Sequence, residues 1–247
     1  MANRTVSDAI AVHGTNPQYL IEKIIRTRIY ESLYWKESCF GLTAETLIDR
    51  ANGLTSFGGQ YGNQKPTEFL CLTLKLLQLQ PSKEIILEFI RNEDFKYLRA
   101  LGSFYLRLVG TSLEIYQNLE PLLNDYRKLR KRTMDGEFMI VCMDEFIDEL
   151  LREERACDII LPRLTKRYVL EESKELKPRE SVLEELLDED DTSSSANEEE
   201  GSASDTREDK QRSKERSRSV NDDSRSERSR SRSRSRSKTP KGTDRCR

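Results

Sequence analysis

The amino-acid sequence predicts a mainly α protein: a single compact multi-helix domain with a small β-hairpin, then a charged helical arm, then a disordered Arg/Ser-rich tail. Three observations carry this. Apolar residues in the first two thirds recur mostly at three- and four-residue steps, the spacing of an amphipathic helix. One stretch, from about residue 133 to 142, alternates instead, as a half-buried strand does. From 224 to 238 the chain reads SRSERSRSRSRSRSK, with no aliphatic or aromatic side chain at all. Such a segment cannot offset a backbone ordering entropy of roughly 1–2 kcal/mol per residue, so disorder is expected there. The expected boundaries are 1–179 for a helical protein-interaction domain and 170–190 for the charged or coiled-coil-like arm. An acidic disordered linker follows at 184–205 and a basic Arg/Ser-rich tail at 206–247.

The first helix is announced by Asn16 as N-cap and Pro17 at the first helical position. Leu20, Ile21, Ile24, Ile25 and Ile29 then form one apolar face, opposite Glu22, Lys23, Arg26 and Glu31. Thr43 can cap a short helix through Leu47, Ile48 and Ala51 that Gly53 would end. The glycine-rich GLTSFGGQYGNQKP stretch, 53–66, has no strand before it, and its Lys65 precedes proline. It therefore reads as an ordered loop packed on the helices rather than a phosphate cradle. TEFLCLTLKLLQLQP is apolar on almost every side, as a central helix is, and Pro81 stops it. Ser82 and Asp94 begin two further helices, and TSLE at 111–114 is a capping box before another. Pro121 predicts a kink or a break in the helical pattern running through IYQNLEPLLNDYRKLRKR. Asp135 and Gly136 mark the hairpin turn, with Phe138, Ile140 and Cys142 alternating after it. Asp144 is expected to cap the returning helix, and Pro162 to interrupt the last helical segment, RACDIILPRLTKRYVLEESKEL.

The net charge of −2 conceals an asymmetry: Leu183–Asp205 holds ten acidic and no basic side chains, and Thr206–Arg247 sixteen basic and seven acidic. The acidic block and the basic tail can attract each other until phosphate reaches the serines. The candidates for phosphorylation are Ser217, Ser219, Ser224, Ser226, Ser229, Ser231, Ser233, Ser235 and Ser237. Each phosphate would add about −1.5 to −2 charges and convert a polycation that suits RNA into a net negative segment. Strict Arg-Ser alternation is the composition of arginine-serine domains found in pre-mRNA splicing proteins, with a merely solubilising tail as the bland reading, and a nuclear RNA-processing role is expected from it. No stretch has the apolar length of a signal peptide or a membrane span, so a soluble, intracellular protein is expected. The five cysteines lack CxxC spacing and read as free thiols, the first four helping to fill the core.

Little points to catalysis. His13 is the single histidine, and in HGTNP it reads as a turn or cap residue; no catalytic, cofactor-binding or metal-ligating residue is assigned and no small-molecule substrate is expected. Two surface features stand out as candidate partner or RNA contacts. In RTRIYESLYWKE, Arg26, Arg28, Tyr30, Tyr34 and Trp35 combine cationic and aromatic groups of the kind that anchor interfaces, with core packing as the other reading. In DYRKLRKR, Tyr126, Arg127, Lys128, Arg130, Lys131 and Arg132 form either an ordinary basic helix end or an RNA-backbone contact.

Several strings extend this reading: HGTNPQYLIEKIIRTRIYESLYWKESCFGL, KPTEFLCLTLKLLQLQP, NEDFKYLRALGSFYLRL, LEPLLNDYRKLR, MDEFIDELL and CDIILPRLTKRYVLE. In order and spacing, over about residues 8–175, they closely resemble the A-type branch of the pre-mRNA-splicing factor 38 family. The glycine loop and the tail are shorter here than in that family. The resemblance implies a helical, non-catalytic scaffold that joins the spliceosome around the U4/U6·U5 tri-snRNP stage and is required for activation. It also implies two protein partners, microfibrillar-associated protein 1 and a zinc-finger splicing protein. An RNA-binding module acting through residues 127–132 and the tail is the alternative.

Overall fold

The computed structural model describes residues 3–179. The acidic linker, the basic tail, the candidate phosphoserines and the arm beyond residue 179 lie outside the described residues.

The N-terminal segment begins as a 3-10 turn, Pro17–Leu20, with the Asn16 side chain accepting from the Gln18 amide at 3.0 Å. The expected long first helix is divided. Ile21 and Glu22 are extended, α1 spans Lys23–Glu31, and a π-helical turn occupies Trp35–Cys39. Ile25 and Ile29 face the core from α1. α2 (Ala44–Asn52) carries a Thr43–Thr46 capping box and ends at Gly53.

The glycine-rich loop is ordered, as its sequence predicts. It contributes β1 (Phe57–Gly58), β2 (Gln60–Tyr61) and β3 (Lys65–Pro66), with β2 and β3 antiparallel. Phe57 is fully buried between Phe69 and Phe146, at ring separations of 6.0 and 4.7 Å. Gly58 adopts φ +149°, and a side chain there would meet the Arg132 carbonyl oxygen at 2.8 Å; close backbone approach explains the glycine.

α3 (Glu68–Leu79) is the central helix, buried at every position from Phe69 to Gln78. Thr67 caps it, Gln80 closes it in the left-handed conformation and Pro81 prevents its continuation. α4 (Lys83–Arg91) and α5 (Lys96–Val109) pack on each other. The start of α5 is one residue later than expected: Asn92 Oδ1 accepts from the amides of Asp94 and Phe95, both at 3.0 Å. α6 (Ser112–Leu119) has the Thr111–Glu114 capping box, and at Pro121 the chain tightens into a 3-10 turn, Glu120–Asn124.

From Lys128 the structure departs from the helical reading. The basic run is not a helix end. Lys128–Arg132 forms β4, antiparallel to β5 (Phe138–Cys142), and β1 joins β4 in parallel to give the order β1-β4-β5. Leu129 and Val141 turn inward and anchor the hairpin on the core. α7 (Met143–Arg152) is capped through a box involving Cys142 and Glu145, so Asp144 lies inside the first turn rather than at the cap. Cys142 itself is only half-buried, unlike Cys39, Cys71 and Cys157.

Of the last segment read as helical, the part before Pro162 is not helical, and helix returns only after it. β6 (Arg155–Ala156) and β7 (Ile159–Ile160) form a tight hairpin whose turn holds Cys157 and Asp158 at positive φ. Asp158 accepts from the Gln60 amide at 2.6 Å, a bond that ties the turn to the glycine loop and outweighs local helix propensity. α8 (Arg167–Glu172) ends at Ser173, and the amides of Glu175 and Leu176 fold back onto the Leu170 carbonyl.

Buried Arg107 joins these parts. Its Nε donates to the Leu150 carbonyl at 2.7 Å and its Nη1 to the Pro162 carbonyl at 2.8 Å. Burial lowers its pKa from the ordinary value, and these acceptors satisfy the donors that burial removes from water.

Candidate partner-binding surface

The cation–aromatic string on α1 and the π-helical turn is divided between core and surface. Trp35 belongs to the core: it is 3% exposed, packs edge-on against Tyr30 at 5.3 Å, and its indole Nε1 donates to Asn3 Oδ1 at 3.1 Å. Lys75 lies 5.8 Å from the Trp35 ring centre, and burial lowers its pKa. Tyr30 is half-buried and its hydroxyl donates to Gln18 Oε1; burial raises its pKa. The Arg26 guanidinium covers the Tyr19 ring at 4.4 Å. Arg28 donates from Nη1 to Gln60 Oε1 at 2.7 Å, fixing α1 to the glycine loop.

Tyr34 faces a groove of about 580 Å³ between α1, the turn that follows it and the β2–β3 hairpin. Leu33, Tyr34, Tyr61 and Pro66 supply apolar surface, and Arg28, Glu31, Glu37 and Lys65 surround it with charge of both signs. Leu33 is 68% exposed. An apolar floor with a mixed charged rim suits a protein segment better than a nucleic-acid backbone, which favours cations alone. Sequence reasoning did not include Leu33 or Tyr61 here. Local spacing carries no signal for either: Leu33 follows Ile29 by four residues and reads as core, and Tyr61 stands in the glycine-rich loop.

The basic run is less available than it reads. Arg127 is bonded to Asp125 and to the Glu93 carbonyl, and Lys131 Nζ lies 2.6 Å from Glu149 Oε2. The Asp125 carboxyl is held at about 2, chiefly by its hydrogen bond from Arg127, with Arg99 adding to the effect and burial opposing it. Arg132 stacks on Tyr61 at 3.7 Å. Lys128 and Arg130 are exposed, as is Tyr126, and none of the three has a carboxylate partner among the described residues. The six residues read as one patch thus serve three purposes.

His13 occupies a turn at φ 49°, with Nε2 hydrogen-bonded to the Leu108 carbonyl at 3.2 Å, in keeping with the turn role expected of it. Among the described residues no group of three or more His, Cys, Asp or Glu could hold a metal ion, and no helix is long and apolar enough to cross a membrane.

Comparison with known proteins gives this geometry a context. Residues 10–174 match the model of the PRP38 family. The chain is 67% identical over 189 residues to pre-mRNA-splicing factor 38A of Homo sapiens, an alignment covering 76% of this chain and 61% of that protein. It is 68% identical over 194 residues to the Danio rerio protein of the same name, covering 78% and 62% respectively. It therefore spans about three fifths of the length of the curated relatives it matches. The fold resembles a chain in the crystal structure of the Snu23-Prp38-MFAP1(217-258) complex of Chaetomium thermophilum. That likeness has a TM-score of 0.68 and 43% identity, over 75% of this chain and 99% of the other. A helical body with this order of elements, matched by the family model over most of its length, belongs to the PRP38 family.

Proposed function

We propose that this chain is a non-catalytic component of the spliceosome, acting in the nucleus as a scaffold for protein partners. It serves at the U4/U6·U5 tri-snRNP and pre-catalytic stage and is needed for activation in pre-mRNA splicing. The observation that carries the reading is the likeness to a chain in a complex with Snu23 and a segment of MFAP1. By that likeness, the partners here are the counterparts of microfibrillar-associated protein 1 and of a zinc-finger splicing protein. The groove beside Leu33 and Tyr34, with its apolar floor and charged rim, supports it as a seat for a helical or extended peptide. The test is affinity purification of the full chain from nuclear extract, with and without RNase. Retention of both partners after RNase treatment is the expected result; recovery only with intact RNA would overturn the scaffold role.

A second reading, direct RNA contact, is favoured by the exposure of Lys128 and Arg130 on one face of β4. It predicts that neutralising these two residues lowers the salt dependence of RNA binding by roughly two released counterions.

A further inference from the structure

Strand β5 closes the three-stranded sheet on one side and, among the described residues, has no neighbour beyond it. Its register with β4 runs without a bulge from Lys128 opposite Cys142 to Arg132 opposite Phe138. Two bonds at the ends of the ladder set its phase: the Met143 amide donates to the Arg127 carbonyl at 3.0 Å, and the Thr133 amide to the Glu137 carbonyl at 2.9 Å. Opposed residues in an antiparallel pair alternate between bonded and non-bonded, so odd-numbered residues of β5 bond to β4. The N–H and C=O groups of Phe138 and Ile140 therefore point out of the free edge. The next outward amide, that of Cys142, is occupied by Glu145 Oε2 at 2.9 Å.

Free edges are normally blunted by lysine, proline, a bulge or a covering segment. This one reads FMIVC, and Phe138, Met139 and Ile140 are 45, 49 and 66% exposed, so nothing covers it among the described residues. Positive charge stands beside it. The exposed Arg130 guanidinium lies 4.2 Å from the Phe138 ring centre, and that of half-buried Arg132, which stacks on Tyr61, lies 5.1 Å from it, so both share the outer face of the hairpin with Phe138.

We propose that the free edge of β5 takes an added strand from a partner protein, an extended segment in which acidic and apolar residues alternate. The partner's main chain would bond to Phe138 and Ile140 from about 4.8 Å away. Its acidic residues would share the outer face with Arg130 and Arg132, and the intervening apolar ones would cover Met139 on the other face. The inference rests on the scaffold reading for its choice of protein over RNA, and it names a second seat for such a partner.

The test uses the full chain and a synthetic hexapeptide of alternating Glu and Val, with a Lys–Val hexapeptide and an oligouridine as comparison probes. Amide hydrogen exchange at Phe138 and Ile140 should slow at least tenfold at saturating Glu–Val peptide, with Leu129 unchanged. Ile140→Pro removes one outward N–H and should abolish binding, with exchange at Lys131 and Met139 reporting that the hairpin is intact. Arg130→Glu leaves the backbone untouched and should reverse the preference toward the Lys–Val peptide. Unchanged exchange with the Glu–Val peptide, equal protection by the Lys–Val peptide or by oligouridine, or protection that rises with protein concentration alone would each overturn the proposal. Absence of peptide binding in a chain that still retains its splicing partners defeats the edge site alone. Loss of partners with peptide binding intact defeats the scaffold reading alone.

Discussion

Arg127 grips Asp125 with both sides of its guanidinium, Nε 2.8 Å from Oδ1 and Nη2 2.6 Å from Oδ2, while Arg99 Nη1 reaches the same carboxylate at 2.8 Å. One acid thus neutralises a residue that reads in sequence as surface charge and another that is nearly buried. Asp125→Ala should cost about 3–5 kcal/mol in urea unfolding, because it leaves Arg99 uncompensated in the interior. Lys128→Ala and Arg130→Ala, on the exposed face, should each change stability by less than about 0.5 kcal/mol.

The same carboxylate sets an acid-sensitive step. Its folded pKa, about 2, lies below the unfolded value near 3.9. The stabilisation, on the order of 2 kcal/mol, is therefore complete above about pH 4 and lost as pH falls toward 2. Urea midpoints recorded from pH 5 to pH 2 should fall less steeply for Asp125→Asn than for the unsubstituted chain.

Trp35 and Leu33 are two residues apart and should behave oppositely. Trp35→Ala empties a core site and removes an indole hydrogen bond, for an expected loss of about 3–5 kcal/mol. Leu33→Ala should leave thermal stability nearly unchanged and weaken retention of a protein partner at the groove.

Burial pushes the Cys39 and Cys71 thiols up to about 12 and raises that of Cys157 as well. Iodoacetamide at pH 8 should leave all three unmodified in the native protein and label them in urea, since the thiolate is the nucleophile. Half-buried Cys142 should be alkylated ahead of them, as peptide mass spectrometry would show.

Gly59 has no room for a side chain: a Cβ there would stand 2.8 Å from the Cys157 carbonyl carbon. Gly59→Ala should therefore separate the glycine loop from the β6–β7 turn at a cost of about 1–3 kcal/mol, measured as a shift in the urea midpoint.

The elements legible in the sequence are those whose signals act within one turn of chain. Asn16, the Thr111–Glu114 box, Pro81 and the Asp135–Gly136 turn each act on neighbours a few residues away, and each is found where its local chemistry places it. Arg127–Arg132 misleads because a run of long basic side chains suits a helix end as well as a strand. Pairing of Leu129 with buried Val141, and of Lys131 with Phe57 from the glycine loop, decides for the strand.

By itself the sequence determined the helical class, most helix starts and the hairpin turn, because capping, proline geometry and apolar period are local properties of the chain. Only the tertiary structure decided which cations are free and which aromatics are inside. Arg99 meets Asp125 across 26 residues and the Gln60 amide meets Asp158 across 98. Such partners come together only when the core closes, and it is their closeness, not their order in the chain, that pairs Arg127 and Lys131 with acids and leaves Arg130 and the β5 edge open on the surface.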